Sequence, residues 1–393
     1  MFFTISKNKD FSRYTIFHDL SNGYVLGVDE GWEKLVIGED TIYYKGYSSE
    51  LQNLRTIVGK LSIDPKLQFK GNFCAILDRA GTVEVLHDDS RAFHIWAGDE
   101  EVSNLEPVGA HVGAGASPRV IVNSKPVVEY GKKLFDLHPE QEYNVVLQKV
   151  HDILNTTFEN FLSHNTRPLK VFLSGGLDCA LVYSYLKKFT SKFELVDYEY
   201  IKHTDFYRKN FGDRLKNFED YQQIHSWGSD PASLVSGAGG GAYCLKGHPI
   251  ANLHLMSHGT NMNKLLADNK SAYMYKMNAK KELQGHYKDQ EGSREIQTLI
   301  KNKDLTKKYI LRHVYESAMH WHLDSTITFT PYKDMRIPEL ILSMPFEEFK
   351  KHATNGKLNR DLISMNDPGV LNLIDKHKTS WTLEKDDSFG ING

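Results

Sequence analysis

The residues best suited to chemistry lie in one short run, Val171-Phe172-Leu173-Ser174-Gly175-Gly176-Leu177-Asp178-Cys179. An apolar stretch comes first, then two adjacent glycines, then an acid at the start of an amphipathic segment. A glycine turn between a buried strand and a helix sets bare backbone N–H groups beside the positive end of the helix dipole, where an anion binds. Glycine lets a phosphate approach closely. No Lys-Ser/Thr pair follows the glycines, so this is not the common G-x-x-x-x-G-K-[ST] nucleotide loop. A second glycine turn, Ser236-Gly237-Ala238-Gly239-Gly240-Gly241-Ala242-Tyr243, follows the apolar run Ser233-Leu234-Val235.

The elements that must position these turns follow from periodicity. After Pro139, Val145, Val146, Val150, Ile153, Leu154, Phe158, Phe161 and Leu162 fall on one face of a helix of about seven turns. Leu169–Leu173 reads as a buried strand. A helix after the glycines carries Leu181, Val182, Tyr185, Leu186 and Phe189 on its apolar face, and Phe193–Tyr198 reads as a second strand. Strand, turn, helix, strand at this spacing is a βαβ unit and predicts a parallel sheet. From residue 250 onward the pattern is mostly helical.

Residues 1–125 read differently, as short strands and turns. Ser21-Asn22-Gly23 separates two strand-like runs, and Asp78-Arg79-Ala80-Gly81 separates Asn72–Leu77 from Thr82–Leu86. Both are hairpin signals, with Gly81 free to take a positive φ. Residues 107–120, with two prolines and three glycines, read as a loop. Two domains are therefore expected, 1–125 and 140–393, with the boundary between 125 and 140.

Composition narrows the function classes. The 393 residues carry a formal net charge of -2, which gives no global attraction to nucleic acid or an anionic membrane. No apolar run approaches the roughly 18 residues of a membrane span, and the N-terminal residues do not read as a signal peptide. Three scattered cysteines suit a reducing compartment, so a cytoplasmic protein is expected. His313, His320 and His322 near Asp324 read as packing or substrate-lining residues, the pair His254 and His258 as structural, and the basic stretch Tyr207–Lys216 as a solvated helical face. None has the spacing of a compact metal site.

Beyond the residues themselves, Val171–Cys179 resembles the SGGxDS pyrophosphate loop of the N-type ATP pyrophosphatases, which cleave ATP between the α and β phosphates to adenylate a substrate. The whole chain resembles a shortened asparagine synthetase-like protein. Gly71–Asp78 with His87-Asp88-Asp89-Ser90-Arg91 is similar to a hairpin of that family's glutaminase domain. Thr330-Pro331-Tyr332-Lys333-Asp334, followed by Ile337–Pro345, resembles its R-x-P-F-L-D segment. Asp375-Lys376-His377-Lys378-Thr379-Ser380-Trp381 lies where the family has an R-x-K-x-x-F loop.

The resemblance implies an N-terminal Ntn-hydrolase-like β-rich α+β domain, in two or four layers, and a doubly wound parallel-sheet ATP pyrophosphatase domain with a helical C-terminal region. ATP and Mg2+ are the implied cofactors. Leu173, Ser174, Gly175, Gly176, Asp178, Cys179, Ser236 and Gly237 would bind ATP and pyrophosphate, with Asp178 on the metal. Lys378, or next Lys376, would stabilise developing charge. The implied reaction joins a carboxylate or carbonyl substrate (small molecule, peptide or nucleobase) to ammonia or an amine. A homo-oligomer stays open.

Departures from the family pattern bear on this. Cys179 stands where the family usually has serine. Phe2 stands where glutamine-using members have a cysteine nucleophile, and Tyr44-Lys45-Gly46-Tyr47-Ser48-Ser49 occupies the place of the glutamine-pocket segment, so no glutaminase activity is expected. In the second glycine turn Ala238, Gly241 and Ala242 replace acids, one of which helps hold magnesium. Two readings follow: an AMP-forming C–N synthetase without glutaminase activity, or a non-catalytic nucleotide-binding or structural protein that kept the fold.

Overall fold

The computed structural model describes residues 3–8, 14, 16–28, 31–48, 53–64, 67, 69–88, 95–104, 110–111, 118–130, 135, 137–165, 168–173, 175–196, 233–237, 239–247, 250–260, 298–317 and 328–374. It is a mixed α/β protein with two dissimilar regions.

The first region runs β1 (Phe3–Ser6), β2 (Ile16–Asp19), β3 (Val25–Val28), β4 (Glu33–Ile37), β5 (Asp40–Ser48) and α1 (Leu54–Ile63). It continues through β6 (Gly71–Arg79), β7 (Thr82–His87), β8 (Trp96–Ala97), β9 (Glu101–Ser103), β10 (Ala110–His111), β11 (Pro118–Val122) and β12 (Pro126–Tyr130). Two six-stranded sheets result, in the orders β10-β8-β9-β1-β3-β2 and β12-β11-β7-β6-β5-β4, with antiparallel pairing.

Alternation along β6 explains the layering. Cys74 and Ile76 face a core shared with Phe3, Ile5 and Leu26 of the other sheet. Phe73, Ala75 and Leu77 face the opposite side, against Leu54, Ile57, Val58 and Leu61 of α1. The described layers are sheet, sheet and helix, three where two or four were expected.

Both expected hairpins form. Gly23, at φ +80, closes β2 onto β3. Arg79 pairs with Thr82, so Ala80 and Gly81 make a two-residue turn, with Gly81 at φ +94. The expected loop at 107–120 is corrected: β10 and the start of β11 fall inside it, and β12 carries this sheet on to Tyr130.

In the second region α2 (Tyr143–His164) precedes β13 (Leu169–Phe172), α3 (Leu177–Phe189), β14 (Glu194–Val196) and β15 (Ser233–Val235). Short helices α4 (Gly240–Tyr243) and α5 (Ala251–Ser257) follow, then α6 (Lys303–Ser317), β16 (Thr328–Phe329), α7 (Arg336–Ile341), α8 (Phe346–Asn355) and α9 (Lys357–Asn366). At 22 residues α2 has about six turns rather than seven. It buries Val146, Val150, Ile153, Leu154, Phe158 and Phe161. Val145, expected on the same face, is exposed.

The four strands form a sheet in the order β14-β13-β15-β16, parallel at each pairing. The strand β16 was not expected inside the helical stretch. Tyr47 at the end of β5 joins this core, edge-on to Phe161 and Phe329, and Asn160 Nδ2 donates to the Ser48 carbonyl at 2.6 Å. The two regions are thereby packed together. Among the described residues no helix is long and apolar enough to cross a membrane.

Candidate functional site

Parallel strands deliver the loops that follow them to one edge of a sheet. Here β13 leads into Leu173 and the glycine turn, β15 into Ser236 and Gly237, and β16 into Thr330–Asp334. The strand order also reverses between β13 and β15, because β14 lies on one side of β13 and β15 on the other. Ligands in open parallel sheets bind outside the carboxyl ends of strands at such a reversal.

Gly175 sits at φ +77, a backbone conformation that disfavours any side chain, and turns the chain into α3. Gly176 is the N-cap of α3 and no side chain caps it. The leading amides of a helix have no intrahelical acceptor and point outward. Leu177 packs into the core, and Asp178 lies in the first turn, where the helix dipole favours a carboxylate. Ser174 is outside the described residues.

Asp178 is the centre of the site. Lys246 Nζ lies 2.9 Å from its Oδ1, with the Lys246 side chain 7 % exposed and that of Asp178 23 % exposed. Asn359 Nδ2, fully buried on α9, donates to the same oxygen at 3.1 Å, and the Tyr332 hydroxyl donates to the Asp178 backbone carbonyl at 2.9 Å. Burial raises the Tyr332 phenol well above its ordinary range, with the Asp178 charge adding to the effect, so it stays a neutral donor.

Three glycines let these parts meet. A Cβ on Gly237 would lie 2.5 Å from the Cys179 amide nitrogen and 2.6 Å from the Asp178 carbonyl carbon. A Cβ on Gly240 would lie 2.6 Å from the Asp178 Cγ. Gly356, at φ +65 between α8 and α9, would put a Cβ 2.5 Å from Leu177 Cδ2 and 2.9 Å from Lys246 Cδ. The structure thus brings Gly237 against the first turn of α3. Ser236 is buried in the β15 exit, its N–H donating to the Phe329 carbonyl at 3.0 Å. Cys179 is buried behind the turn.

The path of Lys246 is unusual. Leu245, just before it, has φ +52, a left-handed conformation costing a leucine about 1–2 kcal/mol. Surrounding contacts hold it there. His352 donates from Nε2 to the Cys244 carbonyl at 2.7 Å, and the Gly247 N–H donates to the Ala353 carbonyl at 3.0 Å. Burial depresses the His352 imidazole to about 4, so it is neutral and can donate to a carbonyl. Burial also pushes up the Cys244 thiol, with Asp178 adding to the rise, leaving a poor nucleophile.

Sequence reasoning singled out the glycine turns but missed Lys246, Asn359 and Tyr332 as partners of Asp178. The one local signal was Lys246-Gly247 closing the second glycine-rich segment. Lys376 and Lys378 lie outside the described residues, as do Tyr207–Lys216, His320 and His322. His313 lies half-buried on α6. His254 stands edge-on to Phe349 at 4.5 Å, and His258 stacks on Phe346 at 4.2 Å, so this pair packs.

The described residues around Asp178 do not by themselves make a protein-held magnesium site. Among the described residues no three His, Cys, Asp or Glu side chains gather as a metal site. The one acid here shares Oδ1 with an ammonium and an amide. Mg2+ wants near-octahedral oxygen ligands, and a neighbouring ammonium repels it.

Fold and site together define a mixed α/β protein with a glycine turn, a helix N-terminus and a lysine-neutralised carboxylate at the carboxyl edge of a parallel sheet. Comparison of the chain with protein-family models and with curated proteins found no match.

Proposed function

We propose that the second region is a doubly wound ATP pyrophosphatase-like domain, related to the asparagine synthetase group, and that the protein is an AMP-forming C–N synthetase. The observation that carries this is the convergence on Asp178. A glycine turn after a central parallel strand, a helix start that no side chain caps and the β15 exit loop close around one acid. In the proposed reaction a carboxylate or carbonyl oxygen of the substrate attacks the α-phosphorus of ATP. The Pα–O bond to the β-phosphate breaks and pyrophosphate leaves. Ammonia or an amine then attacks the activated carbon, loses a proton and displaces AMP.

Gly175, Gly176 and the first amides of α3 hold the departing pyrophosphate, flanked by Leu173, Ser174, Cys179, Ser236 and Gly237. Lys378, or Lys376, acts on charge that appears only during reaction. The first region contributes no glutamine hydrolysis in this reading. Cys74 is fully buried in β6 with its thiol pushed up by burial, and Phe2 has no nucleophilic atom.

A second reading, a non-catalytic nucleotide-binding protein, is favoured by the occupation of Asp178 by Lys246 and Asn359. Two measurements separate the readings. Millimolar ATP should raise the melting temperature, since a ligand that prefers the folded state stabilises it. No shift would sink both. Pyrophosphate release, screened against amino acids, peptides, nucleosides and ammonia, should be seen with wild type and lost in Lys378→Met, which still binds ATP. ATP binding without release under any pairing would leave only the non-catalytic protein.

A further inference from the structure

We infer that Lys246 is the resident cation of this phosphate loop, neutralising Asp178 so that a polyphosphate binds without a protein-held divalent metal. The inference rests on the reading of residues 173–179 as a phosphate loop and deepens it.

A carboxylate inside a phosphate site is an electrostatic liability, because it repels each phosphate oxygen that approaches and only an intervening cation reverses this. A divalent metal can fill that place, held by one or two carboxylates together with phosphate oxygens and water, unless another cation already sits there. In sequence this chain has Ala238, Gly241 and Ala242 where the resembled family has acids, and among the described residues no group of three His, Cys, Asp or Glu could hold a metal ion. What faces the carboxylate is an ammonium at 2.9 Å.

The arrangement around that ammonium is specific. Its side chain is more than nine-tenths buried, so it is not a solvated lysine swinging through water. Its backbone is reached through a left-handed leucine, Leu245. Its stem runs past Gly356, where a Cβ would come within 2.9 Å of Lys246 Cδ. The turn carrying it is tied to α8 by two hydrogen bonds, from His352 to the Cys244 carbonyl and from Gly247 to the Ala353 carbonyl. Asn359, held in α9, completes the grip on the same carboxylate oxygen. Lys246 therefore acts through Asp178 as a positioning and charge-neutralising residue.

The test is ATP binding by calorimetry, in EDTA and in excess magnesium, for wild type, Lys246→Met and Lys246→Arg. Wild type should bind in both buffers with affinities within about threefold. Lys246→Met, with Asp178 left uncompensated, should weaken in EDTA by about ten- to a hundredfold, the worth of one charge-assisted contact. Magnesium should restore most of that loss, because the vacated place beside Asp178 can now take the metal. Lys246→Arg should behave like wild type.

Melting curves check folding, and the double variant Asp178→Asn/Lys246→Met removes both charges. It should bind equally in the two buffers. Wild type that binds only with magnesium, or an equal EDTA-to-magnesium ratio in wild type and Lys246→Met, overturns the inference while leaving the phosphate loop intact. Absence of binding by any of the four proteins in either buffer overturns the phosphate loop itself.

Discussion

The two regions of this molecule use buried polar groups for different ends. In the antiparallel sandwich they close backbone accounts. Asp88, fully buried, accepts the Phe73 N–H at 3.1 Å, and Asp78 accepts the Ser21 N–H at 3.1 Å. Cys74 is sealed between register partners Lys45 and His87. Each group is consumed by holding strands or turns together. In the parallel region the chain instead brings Lys246, Asn359 and Tyr332 from three separate segments to Asp178, whose side chain stays 23 % exposed. Antiparallel ladders alternate loops between both ends of a sheet, whereas parallel strands send every following loop to one edge. Only the second topology gathers distant side chains at one accessible spot without interrupting the strands.

That contrast predicts different responses to acid, the largest effect expected here. Burial depresses His254 to about 3, with His258, Lys307 and Lys303 adding to it, and depresses His352 to about 4, with Lys246 and Lys357 adding. Both belong to the second region. Their folded pKa values lie below the unfolded value of 6.5, so the unfolded chain binds more protons as pH falls from about 6.5 to 4. Stability contributed by the neutral imidazoles is full above pH 6.5 and is lost through that window, on the order of 3 kcal/mol per histidine. Urea titrations between pH 7 and pH 4 should show the loss, and His352→Gln, which keeps a donor for the Cys244 carbonyl, should flatten it. An identical pH slope in wild type and variant would remove His352 from the account.

A pair of glycine substitutions sharpens the same division with a smaller effect. A Cβ on Gly237 meets the Cys179 amide nitrogen at 2.5 Å, and one on Gly71 meets the Tyr47 carbonyl oxygen at 2.4 Å. Neither backbone can yield easily, so Gly237→Ala and Gly71→Ala should each destabilise by about 1–3 kcal/mol in urea titrations. At a temperature where both remain folded, only Gly237→Ala should lose the ATP-induced rise in melting temperature. Equal loss in both would mean that ATP binding depends on general stability rather than on the edge of the parallel sheet.

What was legible in the sequence was local. The unit β13–α3–β14 announces itself by an apolar run, two glycines and a helical repeat within a single stretch, and Gly81 and Gly23 mark their hairpins by type alone. The strands β11 and β12 were not legible because each opens with proline, Pro118 and Pro126. Proline is tolerated at the first residue of a strand or on a sheet edge, and β12 is an edge. The two-residue β16 is too short to show any period. At the site, Asp178 could be read from its own neighbours, but its partners could not. Lys246, Tyr332 and Asn359 reach it only after the sheet has assembled, and although Lys246-Gly247 and the segment around Tyr332 stood out locally, no residue type there named Asp178 as the partner.

The smallest expected change in stability carries the sharpest information. Gly241 lies in α4 with no positive φ, and among the described residues a Cβ there would meet only the Lys246 carbonyl oxygen, at an ordinary 3.6 Å. An aspartate should fit without straining the backbone, so Gly241→Asp should stay within about 0.5 kcal/mol of wild type in urea, as an unstrained substitution does. Its electrostatic effect should be larger. A second acid next to Gly240, which itself packs on the Asp178 carboxylate, exceeds what one Lys246 ammonium can neutralise. ATP binding in EDTA should weaken, and magnesium should restore it, because the added carboxylate is left without a neutralising ammonium and can share the metal with phosphate oxygens. Unchanged binding in EDTA, with the protein folded, would mean that residue 241 does not face the phosphates, and the second glycine turn would be reassigned from ligand contact to packing alone.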